Sequence, residues 1–414
     1  LQNLNLFNYQ GPYMIIKPVI KGVVSKSAHP EGCRHAIMEQ IKYCQSHLQQ
    51  INNGPKRVLI LGASSGFGLA ARISLTFGGA KCDSIGVSFE KGPSEKSIGT
   101  AGWYNNIFFK EFAEAEGRIA HNVIGDAFSD DVKNKVLNLI NKDFDGEVDL
   151  IIYSLATGQR SDPATGNIWR SCLKTTGSAF TGKTVNIEDN KLESTIIDVA
   201  SEAEIADTIK VMGGDDWESW ILWLKENNVL TKKTKTIAFS YIGPEMTYPI
   251  YHTGTLGKAK QHLHETSDRL NKLISTDKHS GAYVVVCKAL VTKASVYIPC
   301  FSPYILCLYK VMKSMGLHET CIGQMHRLFT EYLYNVDNVV VDSSRLIRID
   351  DLELREDVQQ KVIDLMSKMN DENFTSVGDY IGYKKEFLQL NGFGFESVDY
   401  NHPVDIDYLM NLKP

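Results

Sequence analysis

The chain has 414 residues, enough for one large domain or for two or three ordinary ones. With 43% hydrophobic and 22% charged residues, its composition is that of a globular protein and excludes a disordered or fibrous chain. The 44 Lys and Arg residues against 49 Asp and Glu residues give a net charge of −5. This balance argues against a nucleic-acid binder that relies on a domain-wide positive field.

The cysteines and the apolar segments bear on compartment and on metal binding. The eight cysteines form no Cys-x-x-Cys pair and no cluster at zinc spacing, so we predict reduced thiols and no metal site. No secretory signal is recognisable, which favours a cytoplasmic protein, or an organellar one in a eukaryote. Residues 1–13 are interpreted as a tag or leader remnant. The longest uncharged stretch, 294–309, is shorter than the about 20 residues that span a bilayer, so no transmembrane segment is predicted.

In chain order, short β-branched runs alternate with helical patterns, which is typical of a parallel sheet wrapped by helices. Met14 is predicted to open a first strand, MIIKPVI. Further strands are predicted at 57–61, 84–89, 118–125, 148–154, 235–241, 282–290 and, shorter, at 345–350. Helices are predicted at 69–77, 103–117, 130–144 with Ser129 as N-cap, 201–212 and 215–228.

Between residue 157 and about residue 199 the alternation lapses in a stretch rich in Thr, Gly, Asn and Asp. Such a length predicts an ordered insertion of hairpins beside the site. The C-terminal third is predicted to be mainly helical. No linker separates two units, so we predict one elaborated, doubly wound α/β domain over 14–414. Its nucleotide-binding half covers about 54–156, and its substrate and catalytic part covers about 157–414.

A glycine-rich turn, Gly62-Ala63-Ser64-Ser65-Gly66-Phe67-Gly68, joins the strand 57–61 to the following helix. Backbone N–H groups at such a helix start, reinforced by the helix dipole, suit a pyrophosphate. The glycine order resembles that of short-chain dehydrogenases, and the turn lacks the Lys-Ser/Thr pair of a phosphate-binding loop of NTPases. The alternative is that the glycines merely allow tight packing of strand and helix.

Acidic and small residues end the next strands. Glu90, after Phe89, can accept hydrogen bonds from ribose hydroxyls and repel a 2′-phosphate, which predicts NAD rather than NADP, although the neighbouring Lys91 weakens that preference. Ligands of doubly wound sheets bind beyond the carboxyl ends of the strands. Asp126-Ala127 and Leu155-Ala156 are therefore expected to flank the adenine and the nicotinamide ribose. The alternative for Asp126 is the N-cap of the next helix.

Tyr251 and Lys260 form the candidate chemical pair. Nine residues apart on one continuous helix, they would face opposite sides. Gly254 and Gly257 instead predict a helix that begins near Thr255, with Tyr251 on the incoming loop, so that the two can converge. A nearby ammonium lowers the pKa of a phenol from about 10, which would suit Tyr251 as an acid or an oxyanion stabiliser. A surface tyrosine and a solvated lysine are the alternative.

These residues belong to longer recognisable segments: MIIKP, AHPEGC (28–33), GPKRVLILGASSGFGLAARI (54–73), GWYNN (102–106), GDAFSD (125–130), YSLA (153–156), VMGGDDW (211–217), YIGPEMTYPIYHTGTLGKAK (241–260), KALVTKAS (288–295) and GFGFESVDY (392–400). On these motifs the sequence resembles, over nearly its whole length from Met14, the FabV-type trans-2-enoyl-thioester reductases, which are relatives of the short-chain dehydrogenases with a Tyr-x8-Lys spacing. The resemblance implies a Rossmann-type fold and NADH-dependent reduction of the C2=C3 bond of an enoyl thioester in fatty acid synthesis. The acyl group would be carried by CoA or by acyl carrier protein, and a monomer is favoured.

The resemblance also assigns roles to single residues. It implies that Tyr251 is the proton donor, that Lys260 binds the cofactor and that Tyr241 contacts the substrate. It implies an NAD site lined by Gly62, Ala63, Ser64, Ser65, Gly66, Phe67, Phe89, Glu90, Asp126, Ala127, Leu155, Ala156, Leu290, Val291 and Thr292. Phe67 departs from the family pattern, in which Tyr is common.

Two questions stay open at the level of sequence. The apolar segment 297–312 fits either a flap or channel over the acyl chain or an ordinary core helix. The function has two alternatives: a conventional short-chain alcohol or ketone dehydrogenase, in which Tyr and Lys are expected four apart, and a non-catalytic NAD-binding protein built on the same fold.

Overall fold

The computed structural model describes residues 13–94, 97–162 and 164–414. The strands are β1 (Tyr13–Met14), β2 (Ile20–Lys21), β3 (Val24–Ser25), β4 (Arg57–Leu61), β5 (Asp83–Ser88), β6 (Ala120–Ile124), β7 (Val148–Tyr153), β8 (Gln159–Ser161), β9 (Ile168–Arg170), β10 (Phe180–Asn186), β11 (Lys191–Ile197), β12 (Leu230–Ser240), β13 (Gly281–Val286), β14 (Leu346–Arg348) and β15 (Val404–Asp405). The helices are α1 (Pro30–Ser46), α2 (Gly66–Phe77), α3 (Ala101–Ala115), α4 (Asp130–Asp143), α5 (Glu202–Met212), α6 (Asp215–Glu226), α7 (Tyr248–Tyr251), α8 (Thr255–Ile274), α9 (Ser302–Ser314), α10 (Cys321–Arg327), α11 (Glu356–Lys368), α12 (Phe374–Val377), α13 (Tyr380–Gln389) and α14 (Ile406–Asn411). Shorter helical turns cover Glu245–Thr247, Ser295–Tyr297 and Leu328–Leu333.

A seven-stranded parallel sheet occupies the centre of the fold, in the order β14-β13-β12-β7-β4-β5-β6. From β4 the chain first builds outward through β5 and β6, then returns to place β7 on the other side of β4. The strand order therefore reverses between β4 and β7, which is where doubly wound sheets bind ligands, beyond the carboxyl ends of the strands. This arrangement confirms the predicted fold class.

Both faces of the sheet are covered, which explains why its strands are apolar on both sides. In β4, Val58 and Ile60 pack with α1, α2, α3 and α10. Leu59 and Leu61 point to the opposite face and pack with α4, α6 and α8. Alternate residues of one strand thus enter two separate cores, as the period of two in a β-strand requires.

A third core lies beyond the main sheet. It combines α9, α11 and α13 with the β10–β11 hairpin and includes Tyr241 and Tyr251. The hairpins β8–β9 and β10–β11 are both antiparallel and fall within 157–199. The predicted insertion of hairpins is therefore confirmed. This core therefore contains the residues that the sequence predicts for substrate binding and chemistry.

Several predicted element boundaries are wrong. MIIKPVI is not one strand, because Met14 pairs with Val404 in β1 while Ile20 pairs with Ser25 in a separate small hairpin. β13 ends at Val286 rather than at residue 290, since the chain leaves the sheet there and continues toward the site. β12 begins earlier than predicted, at Leu230. The helices fall close to the predicted ranges, and Ser129 caps α4 as predicted.

The predicted leader remnant at 1–13 lies outside the described residues except for Tyr13, which pairs with Asp405. None of the helices built from the described residues combines the length and the apolar character needed to cross a membrane. Within the same residues, no three side chains of the metal-binding types come together.

Candidate active site

The glycine-rich turn is bound tightly to the end of β7. Gly62 has a φ of +93°, and a methyl group added to it would stand 2.3 Å from the carbonyl oxygen of Ser154. A methyl group on Gly68 would stand 2.1 Å from the carbonyl oxygen of Gly62. Gly66 adopts a φ of +54° at the first position of α2. Close packing thus explains why positions 62 and 68 are glycines. The start of α2 nevertheless lies where the strand order reverses, which is where doubly wound sheets bind ligands.

The segment Leu290-Val291-Thr292 comes to the same turn from β13. All three residues are buried, and a methyl group on Gly66 would meet the side chain of Thr292 at 3.8 Å. Backbone N–H groups fix the segment: that of Val291 donates to the hydroxyl of Tyr309 at 3.0 Å. The structure therefore brings together two parts of the predicted cofactor site that are more than 200 residues apart in the sequence.

Glu90 lies at the end of β5 and is held by hydroxyl groups. The Ser64 hydroxyl donates to Oε1 of Glu90 at 2.6 Å, and the Thr100 hydroxyl donates to Oε2. A carboxylate offers about four lone-pair positions, so Glu90 keeps acceptor capacity for ribose hydroxyls. The neighbouring Phe89 ring is 75% exposed, unusual for so large an apolar side chain, and is free to lie against a planar ring.

Asp126 follows β6 and does not cap α4. Its Oδ1 accepts the backbone N–H of Phe128 at 3.0 Å, whereas the Ser129 hydroxyl accepts the N–H of Val132 and forms the cap. The N-cap alternative for Asp126 is therefore wrong. Its place at the carboxyl end of β6 agrees with the expected position beside the adenine.

Ala127, Leu155 and Ala156 complete the predicted set at the strand ends. Ala127 is buried, and its carbonyl oxygen accepts the indole N–H of Trp220 at 3.0 Å. Leu155 is half-buried and Ala156 is exposed directly after β7. Both residues follow the end of β7, which pairs with β4 in the sheet.

Tyr251 is in the third core, next to Tyr241. It ends the one-turn helix α7, and α8 begins at Thr255 as predicted. The ring of Tyr251 packs edge-on against Tyr241, with centroids 4.5 Å apart, and lies 5.1 Å from Phe301. Only 9% of Tyr251 is exposed. The surface alternative for Tyr251 is wrong, and the residue is on a short helix rather than on a loop.

Lys260 is half-buried and contacts the end of β12. Its Nζ donates to the carbonyl oxygen of Phe239 at 3.1 Å, and the Phe239 ring lies 5.7 Å from the ring of Phe67 in the glycine turn. An ammonium group has three donors, so two remain for other partners. The solvated alternative for Lys260 is wrong. Among the described residues, no hydrogen bond joins Lys260 to Tyr251, and neither residue shifts the pKa of the other.

The pKa of Tyr251 shifts in the direction opposite to the one expected from its lysine. Burial raises it above the ordinary value, and the charge of Glu353 raises it further. A buried phenolate is costly, and a neighbouring carboxylate adds repulsion. The phenol therefore stays protonated at neutral pH, which is the state a proton donor needs. Burial also lowers the pKa of Lys260, to about 8.

Glu353 is the main residue that the sequence analysis missed. It is fully buried, and its Oε1 accepts the hydroxyl of Tyr241 at 2.7 Å and that of Tyr304 at 2.6 Å. Its Oε2 accepts the backbone N–H of Ala289 at 2.6 Å. No sequence signal indicates this role, because Glu353 stands in the run DDLELRED, which resembles a solvated surface segment.

The segment 297–312 is for the most part not a flap. From Ser302 it forms α9, whose residues are almost all buried in the third core. Phe301, just before α9, contacts both Tyr241 and Tyr251. The core-helix alternative is therefore correct for α9, while Phe301 forms a wall beside the two tyrosines.

Comparison with known proteins identifies the family. A model described as the trans-2-enoyl-CoA reductase catalytic region matches residues 97–334, more than half of the chain. The chain belongs to the trans-2-enoyl-CoA reductase family. The NAD(P)H-binding domain of trans-2-enoyl-CoA reductase matches residues 15–95, and a domain described as the enoyl reductase FAD-binding domain matches 341–404. The resemblance found in the motifs is thereby confirmed.

Relatives in this reductase family match almost end to end. An enoyl-[acyl-carrier-protein] reductase [NADH] 2 of Photobacterium profundum is 58% identical over 96% of this chain and 100% of its own. A trans-2-enoyl-CoA reductase [NADH] of Clostridium beijerinckii is 53% identical over 97% of this chain and 100% of its own. The family thus includes proteins named for both carriers of the acyl group.

Solved structures of family members share the fold. The trans-2-enoyl-CoA reductase of Clostridium acetobutylicum in complex with NADH has a TM-score of 0.94 and 47% identity, covering 97% of this chain and 100% of that one. The enzyme of Treponema denticola in complex with NAD has a TM-score of 0.90 and 45% identity, covering 95% of this chain and 98% of that one.

The stretch 341–404 does not fit a flavin phosphate in this chain. No glycine stands between β14 and α11. The end of β14 is followed instead by acidic residues, including Asp350, Asp351 and Glu353, which would repel a phosphate. Its helices pack into the third core, and the relatives above are named for NADH. We assign no flavin chemistry to this protein.

Proposed function

We propose that this protein uses NADH to reduce the C2=C3 double bond of trans-2-enoyl thioesters to saturated acyl thioesters, a step of fatty acid synthesis. The acyl group is carried by CoA or by acyl carrier protein. The observation that carries the proposal is the position of Tyr251: a buried, protonated phenol in the third core, against which Phe67 of the glycine turn also packs. The family relationship supports the same reaction.

The residues around the turn fit NAD(H). The start of α2 and the turn N–H groups suit the pyrophosphate, and Glu90 suits the adenosine ribose. Phe89, Asp126 and Ala127 border the adenine end. Leu155, Ala156, Lys260 and the segment 290–292 border the nicotinamide end. NADH, when bound, supplies the hydride that adds to C3 of the substrate.

The chemistry then requires stabilisation of charge on the substrate. When C3 gains the hydride, the electron pair of the double bond moves toward the thioester and places negative charge on its oxygen. The Tyr251 hydroxyl makes no hydrogen bond to any of the described residues, so its proton is available to that oxygen or to C2. A donor already aimed at developing charge typically contributes a few kcal/mol to the transition state.

The reaction can be tested directly with purified protein, NADH and crotonyl-CoA. We expect loss of NADH absorbance that depends on crotonyl-CoA, with butyryl-CoA as the product by mass spectrometry. Oxidation of 3-hydroxybutyryl-CoA with NAD, in the absence of crotonyl-CoA reduction, would instead identify an alcohol dehydrogenase. Binding of NADH without any turnover of crotonyl-CoA would identify a non-catalytic nucleotide-binding protein.

Glu90 is expected to set the preference for NADH over NADPH. Glu90→Gln keeps the shape and can keep one of the two hydrogen bonds donated by Ser64 and Thr100, while the other hydroxyl turns to accept from the amide nitrogen. It removes the charge that repels a 2′-phosphate. We expect the ratio of kcat/KM for NADPH to that for NADH to rise about tenfold or more. Steady-state kinetics with both cofactors measure this ratio. Glu111→Gln, at an exposed ion pair with Arg34, is the matched control, and an equal change there would refute the role of Glu90.

We further propose that residues 14–414 work as a single elaborated domain, as a monomer and in the cytoplasm. Phe67 and Leu388 each pack against both the first and the third core, which supports one continuous unit. Sedimentation analysis of the purified protein would measure the oligomeric state.

A further inference from the structure

The buried carboxylate of Glu353 joins three parts of the site. It lies between β14 and α11, and none of its surface is exposed. Two phenols donate to one of its oxygens, those of Tyr241 and Tyr304, and the Ala289 N–H donates to the other. Ala289 directly precedes the segment 290–292 of the proposed cofactor site. One side chain therefore connects the substrate tyrosine to the cofactor segment.

A charge in this position needs compensation, and the structure provides it. Lys288 is also buried, and its positive charge acts on Glu353. Burial raises the pKa of Glu353, while its hydrogen bonds and Lys288 lower it. Glu353 in turn counteracts the effect of burial on Lys288, whose pKa falls to about 8. Three hydrogen bonds and the charge of Lys288 thus offset the cost of burying this carboxylate.

The carboxylate also determines the direction in which the two phenol hydroxyls donate. An ionised carboxylate can only accept, so the hydroxyl protons of Tyr241 and Tyr304 are both directed at Glu353. The oxygen of Tyr304 accordingly accepts a hydrogen bond, from Nε2 of Gln359 at 3.1 Å. By the same reasoning, the oxygen of Tyr241 presents only lone pairs to its other neighbours. The hydroxyl of Tyr251, by contrast, donates to none of the described residues.

From these contacts we propose that Glu353 is a positioning residue of the reductase, one that acts through Tyr241. It holds the Tyr241 proton away from the thioester and fixes the ring on which Tyr251 packs at 4.5 Å. Tyr251 is then the single phenol that donates to the thioester oxygen. The inference rests on the proposed function and adds a residue from the C-terminal part of the chain to it.

Glu353→Gln tests the inference with little change in volume. The amide oxygen can accept a hydrogen bond, but the amide nitrogen can only donate. The Ala289 N–H is always a donor, so the amide oxygen must face it and the amide nitrogen must face the tyrosines. The hydroxyls of Tyr241 and Tyr304 then have to accept from the amide nitrogen and point their protons elsewhere. We expect kcat for crotonyl-CoA to fall about tenfold or more. The dissociation constant for NADH, measured by fluorescence titration, should change less than about threefold, because the glycine turn and Glu90 are unaffected.

A double-mutant cycle separates positioning from a general structural effect. Tyr241→Phe should lower kcat to a similar extent as Glu353→Gln, and the double variant should be no worse than about twofold below either single variant. Losses that multiply in the double variant would overturn the proposal, as would a Glu353→Gln enzyme with the kcat of the parent.

The matched controls come from the same surroundings. Tyr304→Phe removes the other phenol from Glu353 but leaves its contact with Tyr241, so kcat should stay within about threefold of the parent. Asp350→Asn alters a carboxylate that is equally buried but contacts Arg348, and it should lower thermal stability without the same loss of kcat.

If Glu353→Gln does not fold, Tyr241→Phe and Tyr304→Phe are compared instead, and equal losses of kcat in these two variants contradict the proposal. A parent enzyme without crotonyl-CoA reduction would refute the proposed function itself.

Discussion

Replacing Tyr251 with Phe is expected to lower kcat for crotonyl-CoA reduction by about two orders of magnitude or more. The change removes one oxygen and leaves the ring that packs on Tyr241 and Phe301. Loss of a single donor to an oxyanion typically costs about 10²–10³ in kcat. Because the phenol is protonated and has no hydrogen-bonding partner among the described residues, nothing else at its position replaces the donor. Stopped-flow or steady-state measurement of NADH oxidation gives the loss in kcat.

Tyr248→Phe is the control for this variant. Tyr248 is on the same one-turn helix, but its ring stacks on His252 rather than on Tyr241. We expect its kcat to stay close to that of the parent. Both variants should bind NADH like the parent and unfold at a similar temperature. If Tyr251→Phe kept the activity of the parent, another group would have to be the donor.

Lys260→Met is expected to lower kcat/KM for NADH about a hundredfold. The methionine fills much of the volume but removes the half-buried positive charge near the expected nicotinamide ribose, and it leaves the Phe239 carbonyl oxygen without this donor. An unsatisfied buried acceptor alone costs about 1–3 kcal/mol, so unfolding temperature must be measured alongside the kinetics. Lys258→Met, two residues earlier on α8, is the control, and an equal loss there would contradict the role of Lys260.

The pH dependence gives an independent test of Lys260. Burial lowers its pKa to about 8, so the ammonium form is present below that pH and is lost as the pH rises through it. If the positive charge is needed, kcat/KM for NADH falls as the pH rises above about 8. Arginine stays charged throughout this range. Lys260→Arg should therefore lose this alkaline decline, whatever its absolute rate.

The sequence predicts those parts of the fold that local patterns determine. The strands of the sheet are continuous apolar runs, and the glycine turn follows one of them directly, so both could be located from neighbouring residues. The start of α8 at Thr255 follows from the glycines around it. The sequence predicts β13 too long because Cys287, Ala289 and Leu290 are apolar, although this part of the chain leaves the sheet to approach the turn.

Contacts between distant segments could not be predicted. The assignment of Tyr251 and Lys260 to one site rests on family resemblance, and spacing alone leaves a surface pair open. The sequence predicts a lower pKa for Tyr251 because Lys260 is the charged residue of its motif, whereas burial and the charge of Glu353 raise the pKa. Glu353 itself stands in an acidic run, and only the tertiary packing of α9 and α11 places it beneath Tyr241.

The third core has a consequence for the order in which the chain acquires activity. Chains fold from the N-terminus during synthesis, and the glycine turn with its neighbouring strands belongs to the first half. Glu353 and the helices around it emerge from the ribosome only near the end. A nascent chain therefore contains the glycine turn and Glu90 long before Glu353 can hold Tyr241 in place. We expect NADH oxidation to begin only when translation is almost complete.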